Sequence, residues 1–294
     1  MPEKKYKYIN LFSGIGGWEL GLTDLPMENV LSCEIDKYAR ATFLANFSHL
    51  PCVTNDNYPT DIRKLNPADI PDFDILVGSP PCQSFSLAGQ RQGLRDLRDD
   101  KGNMFFYVLD IIKGKQPRAF ILENVKGLLT AEKGRSFRVI HDLFRNAGYS
   151  FHYKVIKGSD CGIPQIRQRL FMVGFHNDEC GSNLFKFPDP VPLKFTLCEV
   201  FNCVECDRDI SRTLMTMRWD KKYGQDYNFA TYMVDGSPRT ITINEAKKIM
   251  GIPPCFKMPV PEKQQQKQLD NGIIPECVKM VAENVIRHLQ KFPA

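Results

Sequence analysis

The sequence predicts an α/β protein built on a doubly wound, mostly parallel sheet, followed by a smaller irregular module. Three observations carry this. Through residue 175, short apolar runs alternate with longer amphipathic stretches, the pattern of strand–helix units. Several runs are continuously apolar (ILVG, AFILE, LFMVGF), as strands covered on both faces require. After Phe175 the periodicity lapses and prolines gather in FPDPVPL.

In chain order, the expected strands are Tyr8 to Phe12, Asn29 to Cys33, Asp74 to Gly78, Ala119 to Leu122, Tyr153 to Ile156 and Leu170 to Phe175. The expected helices between them are Asp36 to Phe47, Asn103 to Ile112, and Arg135 to Asn146, the last closed by Gly148. From His176 to Pro238 no element is predicted. This stretch carries ten acidic residues against seven basic ones. A short helix, Asn244 to Met250, is stopped by Gly251 and the Pro253-Pro254 pair. EKQQQKQ reads as a polar connection to a final helix, Pro275 to Leu289, which returns to the first domain. The expected division is 1–175, completed by 272–294, with 176–271 as the smaller domain.

Composition excludes several classes. With 294 residues, 43% of them hydrophobic and 25% charged, the chain is an ordinary globular protein. A formal charge of +5 is compatible with nucleic acid without demonstrating it. The longest apolar stretches are six or seven residues, whereas a membrane helix needs about 20. MPEKKYKYINLF lacks the apolar core of a secretory signal. Ten scattered cysteines without an export signal read as reduced thiols in a cytoplasmic or nuclear compartment.

The first strand runs into Phe12-Ser13-Gly14-Ile15-Gly16-Gly17 and then a helical WELGL pattern. Glycines at such a turn let a backbone approach a ligand, and helix-start amides face it. A structural turn has the same appearance. Glu34, 20 residues after Gly14 at the end of the second strand, favours the ligand reading because a carboxylate there suits ribose hydroxyls. The spacing departs from G-x-G-x-x-G, since Gly16 and Gly17 are adjacent. A nucleoside-type cofactor such as S-adenosylmethionine is therefore preferred to a dinucleotide. Asp61 and Ile62 are placed to meet an adenine edge.

DILVG leads into Ser79-Pro80-Pro81-Cys82-Gln83. Ligand crevices in parallel sheets lie beyond the carboxyl ends of strands, and paired prolines stiffen the loop. Most cysteines act as small buried hydrophobes; Cys82, on this loop, reads as a nucleophile. Glu123 and Asn124 end the next strand on the same rim. A carboxyl there is either an acid–base group or a helix-capping partner. Arg167 and Arg169 precede the last long strand, and alternation in an extended segment sends both to one face. Surface salt bridging is their bland alternative.

With these pieces in order, the sequence resembles the cytosine-C5 DNA methyltransferase family. The matching blocks are FSGIGG, EIDKYA, SPPCQSFS, ENVKGLL, GIPQIRQRLFMVGF, RTITINEAKKIMGIP and QLDNGIIP. They span Asn10 to Ile286 apart from the irregular module. The resemblance implies a Rossmann-like domain dependent on S-adenosylmethionine, with a target-recognition domain in the place of the module. It implies that double-stranded DNA is the partner, with no metal, and that a monomer works in the cytoplasm, on the nucleoid.

It also implies roles. Cys82 would add as thiolate to C6 of a flipped cytosine. Glu123 would hold N3 and the exocyclic amine, and Arg169 the ring O2. Arg167 would support Arg169 or grip phosphate. The cofactor would touch Phe12, Ser13, Gly14, Ile15, Gly16, Gly17, Glu34, Ile35, Asp61, Ile62, Pro81, Met104 and Asn271. An RNA cytosine methyltransferase shares this scaffold, and a catalytically silent homologue would lack intact Cys82, Glu123 and Arg169.

Two departures from the family pattern stand out. Ser79 and Asp270 occupy positions where glycine is usual. A carboxylate at Asp270 could tighten a cationic cofactor, alter its release, or face water. Cys198, Cys203 and Cys206 form C-x4-C-x2-C, half of a metal site without a second pair. Trp219, beside Lys221 and Lys222, suits either stacking on nucleic acid or packing.

Overall fold

The computed structural model describes residues 5–54, 58–81, 104–177, 181–215, 219 and 230–292. Six strands form one sheet: β1 (Tyr6–Leu11), β2 (Met27–Cys33), β3 (Ile75–Gly78), β4 (Ala119–Val125), β5 (His152–Lys157) and β6 (Gln168–Phe175), in the order β2-β1-β3-β4-β6-β5. β1 pairs in parallel with β2 and β3, and β3 with β4. β6 runs antiparallel to both β4 and β5. The doubly wound, mostly parallel sheet expected from the strand–helix alternation is the one observed. Its antiparallel member follows from chain length: residues 158–167 hold no helix, and a parallel crossover needs about a dozen residues or more, usually with one.

Both faces of the sheet are covered, which explains the continuous apolar runs. Tyr6, Tyr8, Ile75, Val77, Ala119 and Ile121 enter one buried cluster; Ile9, Leu11, Leu76, Phe120 and Leu122 enter the other. That is the period of two made visible. The first face is packed by α1 (Gly17–Leu22), α2 (Lys37–Phe47) and α9 (Pro275–Lys291). α3 (Pro51–Thr54) is a single turn. The second face is packed by α4 (Met104–Lys115) and α5 (Arg135–Asn146), the latter through Phe137, Ile140 and Phe144. These three lie at helical spacing on one stripe.

α9 buries Val278, Val281, Ala282, Val285 and Leu289 and lies against α1. At Gly21 a Cβ would sit 2.6 Å from the Pro275 carbonyl oxygen, so the helices meet at backbone distance. Lys279 pairs with Asp24 at 3.1 Å across the same junction. α6 (Leu197–Phe201), the hairpin β7 (Thr231–Val234) and β8 (Ser237–Thr240), α7 (Ile243–Ile249) and α8 (Glu262–Asn271) complete the chain. The first-face cluster continues into them through Leu197, Tyr232, Ile249 and Leu269.

The structure adds α3, α6, the β7–β8 hairpin and α8 to the expected elements. The polar EKQQQKQ stretch is helical, as the first turns of α8, but buries only Gln268, Leu269 and Asp270, so it has no apolar stripe to read. β7 and β8 turn at Asp235 and Gly236, both at positive φ, the backbone of a tight hairpin. Among the described residues, no helix is long and apolar enough to cross a membrane.

A buried carboxyl lies beneath the rim of this sheet. Glu19, on α1, accepts from Asn10 at 2.7 Å, Asn29 at 3.0 Å and Ser32 at 3.2 Å, all on Oε1. Complete burial outweighs these bonds and lifts its pKa from the ordinary 4.5 to about 7. Between these values the folded protein holds a proton that the unfolded chain has lost. Stability contributed by this group is therefore complete below about pH 4.5, falls by roughly 3 kcal/mol as pH rises to about 7, and stays lost above. Glu19→Gln is expected to remove that fall. Denaturant unfolding at pH 5 and pH 8 measures it; equal pH slopes in both proteins would refute the assignment.

Candidate active site

Strand register builds a level rim. Leu11 pairs with Cys33 on one side and Gly78 on the other, and Gly78 pairs with Leu122. Phe12, Glu34, Ser79 and Glu123 therefore emerge side by side. Because β6 is antiparallel, its start lies at the same rim: Arg169 pairs with Val125. The sequence placed these residues at strand ends; the register brings them together.

Gly14 has φ +57, with open space where a side chain would stand. Its N–H donates to Glu34 Oε2 at 2.8 Å, and Asp36 N–H donates to Oε1 at 2.7 Å. Burial raises the pKa of the Glu34 carboxyl, against the pull of these backbone donors. A cavity of about 220 Å³ opens beside it, lined by Phe12, Glu34, Ile35, Asp61, Ile62, Pro81 and Met104 among others. Ile35 stands 63% exposed at this edge. An adjoining cavity of about 160 Å³ is lined by Gly14, Ile15, Glu34 and Asn271. Asp61 caps the following turn through Arg63 N–H at 3.0 Å and pairs with the Arg63 side chain at 2.7 Å.

Three of the expected cofactor residues line neither cavity. Ser13 Oγ lies 3.4 Å from the Tyr58 hydroxyl. Gly17 opens α1 against Ile273. Gly16 is demanded by packing: at φ +96, a Cβ would lie 2.1 Å from Phe47 Cε2. Gly16→Ala is expected to cost roughly 2–4 kcal/mol from backbone strain and overpacking. Gly16→Ala with Phe47→Leu should recover the overpacking share. Thermal unfolding of the three proteins tests this, and an unaltered Tm in Gly16→Ala would overturn it.

Along the rim, Arg169 Nε pairs with Glu123 Oε1 at 2.9 Å, with side-chain exposures of 17% and 9%. Desolvation lowers the Arg169 pKa and Glu123 opposes that shift. Asn124 Nδ2 donates to the Pro80 carbonyl at 2.8 Å. Trp18 Nε1 donates to Ser79 Oγ at 3.1 Å. These two bonds anchor the loop that carries Cys82, and sequence spacing did not reveal them. The Trp18 bond gives Ser79 a function that glycine could not perform. Cys82 itself lies outside the described residues.

Arg167 does not share the rim. It is 1% exposed and donates through Nη2 to the Asp270 backbone carbonyl. Burial, reinforced by Arg169, pushes its pKa down to about 9 against the attraction of Glu123 and Asp270, leaving it charged at neutral pH. Of the two expected roles, gripping phosphate is the one this burial contradicts. Asp270 is 6% exposed and its Oδ1 accepts the Trp219 indole N–H at 3.2 Å. The carboxylate therefore does not face water, and Trp219, 7% exposed, is a packed residue rather than a stacking platform.

The remaining described cysteines are free thiols. Burial pushes Cys33 and Cys52 up to about 12, so neither offers a thiolate. Among the described residues no group of His, Cys, Asp or Glu could hold a metal, Cys198, Cys203 and Cys206 included.

Comparison with known proteins agrees with this geometry. The profile of the family described as C-5 cytosine-specific DNA methylase matches residues 6–201 and 196–287. The Type II methyltransferase M1.ScrFI of Lactococcus lactis subsp. cremoris is 37% identical, over 98% of this chain and 79% of that protein. The Type II methyltransferase M.SsoII of Shigella sonnei is 36% identical, over 97% and 81%. A DNMT2 mutant of Spodoptera frugiperda superimposes with a TM-score of 0.72 at 18% identity, over 96% of this chain and 100% of that one, a likeness of fold.

Proposed function

The chain belongs to the C-5 cytosine-specific DNA methylase family, and we propose that it methylates C5 of a cytosine flipped from a short, specific double-stranded DNA sequence. S-adenosylmethionine is the proposed donor. The observation that carries this reading is the shared rim. The Glu123–Arg169 pair and the Glu34–Asp61 cavity both border the Ser79-Pro80-Pro81 loop that leads into Cys82.

The residues present fit that donor. Glu34 spends one lone pair of each oxygen on a backbone donor, and a carboxylate has about four such sites, so a ribose diol can still be held. Phe12, Ile35 and Ile62 suit a flat ring, and two carboxylates suit a cation. When bound, S-adenosylmethionine supplies an electrophilic methyl group.

The target base leaves the stack because C5 and C6 are unreachable within it. Cys82, as thiolate, adds to C6. Glu123 holds the N3 and amino edge and promotes that addition by sharing a proton with N3. Arg169, fixed by Glu123, meets O2. Arg167 supports from behind. Addition leaves C5 nucleophilic, able to take the methyl group that a bound donor would supply in exchange for its bond to sulfur; loss of the C5 proton and departure of Cys82 then give the 5-methyl product.

Residues 176–271 serve as the target-reading domain. The acidic excess of its first part, residues 176–238, assigns phosphate contacts to other groups on the rim, such as Lys126, exposed just past β4. The names of the relatives, Type II methyltransferases, favour a modification enzyme of a restriction-modification pair; a monomer acting on cytoplasmic DNA is part of the proposal.

The test supplies labelled S-adenosylmethionine with matched duplex DNA and tRNA. Methyl transfer to DNA is expected, and transfer to tRNA alone would overturn the proposal. Bisulfite sequencing of DNA from cells expressing the chain then reads out the methylated sequence.

A further inference from the structure

Resting on that functional reading, we propose that Asp270 is a positioning residue that ties the target-reading domain to the catalytic arginine segment. The geometry is a buried knot of three residues, joined through the side chain and the backbone carbonyl of Asp270. Asp270 Oδ1 accepts the indole N–H of Trp219, and the Asp270 carbonyl accepts from Arg167 Nη2. All three residues are more than nine-tenths buried. Trp219 belongs to the module, Arg167 lies two residues before the Glu123 partner Arg169, and Asn271, next in the chain, lines a cofactor cavity.

The chemistry asks for a role beyond stability. A buried carboxylate is costly to desolvate, and an apolar residue of similar size is often at least as stable. Buried polar groups are better attested as setters of register. α8 needs such a setter, because Leu269 is the one apolar side chain it buries. Polar contacts must hold it: Gln268 accepts from Thr42 Oγ1 at 3.0 Å at one point, and Asp270 makes the knot at the next. Glycine, usual at this position, could offer the carbonyl but not the bond to Trp219. The position of Arg167, and through it Arg169, thereby depends on the module that reads DNA.

The test compares Asp270→Ala, Asp270→Asn and Trp219→Phe with the wild type. It reads kcat, KM for the nucleic acid, cofactor Kd without nucleic acid, and Tm. Losing a hydrogen bond to a charged acceptor is expected to lower kcat about tenfold in Asp270→Ala and Trp219→Phe. Both constants for ligand binding should stay within about threefold. Asp270→Asn keeps an oxygen acceptor and should recover most of kcat. The double variant Trp219→Phe/Asp270→Ala should be no worse than either single one.

A purely structural role would lower Tm and leave kcat per folded molecule unchanged; that result overturns the proposal. So does a parallel loss of kcat and cofactor affinity in Asp270→Ala, or additive losses in the double variant. Ratios are taken on whichever nucleic acid the wild type methylates. Transfer to tRNA would therefore refute the functional reading while leaving the Asp270 comparison intact.

Discussion

Cys82→Ala is expected to abolish methyl transfer, by at least about 10⁴-fold, the scale of loss when a covalent nucleophile is removed. The magnitude follows from what the thiolate does. C5 of an aromatic cytosine is a poor nucleophile, and bonding at C6 converts the ring to an enamine whose C5 can take a methyl group. Cys33 and Cys52 cannot take over that bond, since their thiols are buried and held protonated. The anchors of the loop remain in the variant: Asn124 still holds the Pro80 carbonyl and Trp18 still holds Ser79. Binding of cognate DNA and of cofactor should therefore persist. Single-turnover transfer with labelled cofactor measures the loss, and a mobility-shift assay measures the retained binding. Transfer within tenfold of wild type would sink the assignment. Placing 5-fluorocytosine at the target position sharpens the test, because fluorine cannot leave as the C5 proton does. Wild type should form an adduct that survives denaturation, and Cys82→Ala should form none.

What was legible in the sequence was what depends on local pattern. β3 reads as a strand because ILVG is covered on both faces. Glu34 and Glu123 read as site residues because each follows or ends an apolar strand, and strand ends form a rim. α8 was illegible because a helix with one buried apolar side chain has no stripe. The hairpin of β7 and β8 had a signal, Asp235-Gly236 between two strand-like runs. Each strand is only four residues long, too short for alternation to declare it. The contacts that hold the site in place were illegible for another reason. Asn124 to Pro80, Trp18 to Ser79, Trp219 to Asp270 and Arg167 to Asp270 bridge sequence separations of 44, 61, 51 and 103 residues. Sheet register and helix docking bring these pairs together, and neither is written in spacing. The same limit explains Arg167. Alternation with Arg169 was the right inference for an extended segment, but Arg167 precedes the strand and is drawn inward by the Asp270 carbonyl.

Glu123→Gln is expected to lower kcat by about 10²–10⁴-fold, the usual contribution of a positioned acid–base group. Glutamine keeps the length and can still accept from Arg169 Nε, so the loop anchors and β4–β6 pairing should survive, at a lower Tm because Arg169 loses its charged partner. It cannot place a shareable proton opposite N3. The charge balance matters as well. Arg169 and Arg167 bring two positive charges to this corner, and Glu123 sits 2.9 Å from the first. Neutralising Glu123 leaves Arg169 mostly buried beside an uncharged partner, where a guanidinium is costly. Arg169→Leu makes the complementary error, stranding a carboxylate with 9% side-chain exposure without its charged partner. That variant should therefore lose stability, because the remaining buried charge is uncompensated. The roles separate in the adduct assay. Glu123 acts before or during attack by Cys82, so Glu123→Gln should slow trapping by 5-fluorocytosine in the same ratio as kcat. Trapping at the wild-type rate with a reduced kcat would place Glu123 after the addition step and remove it from N3.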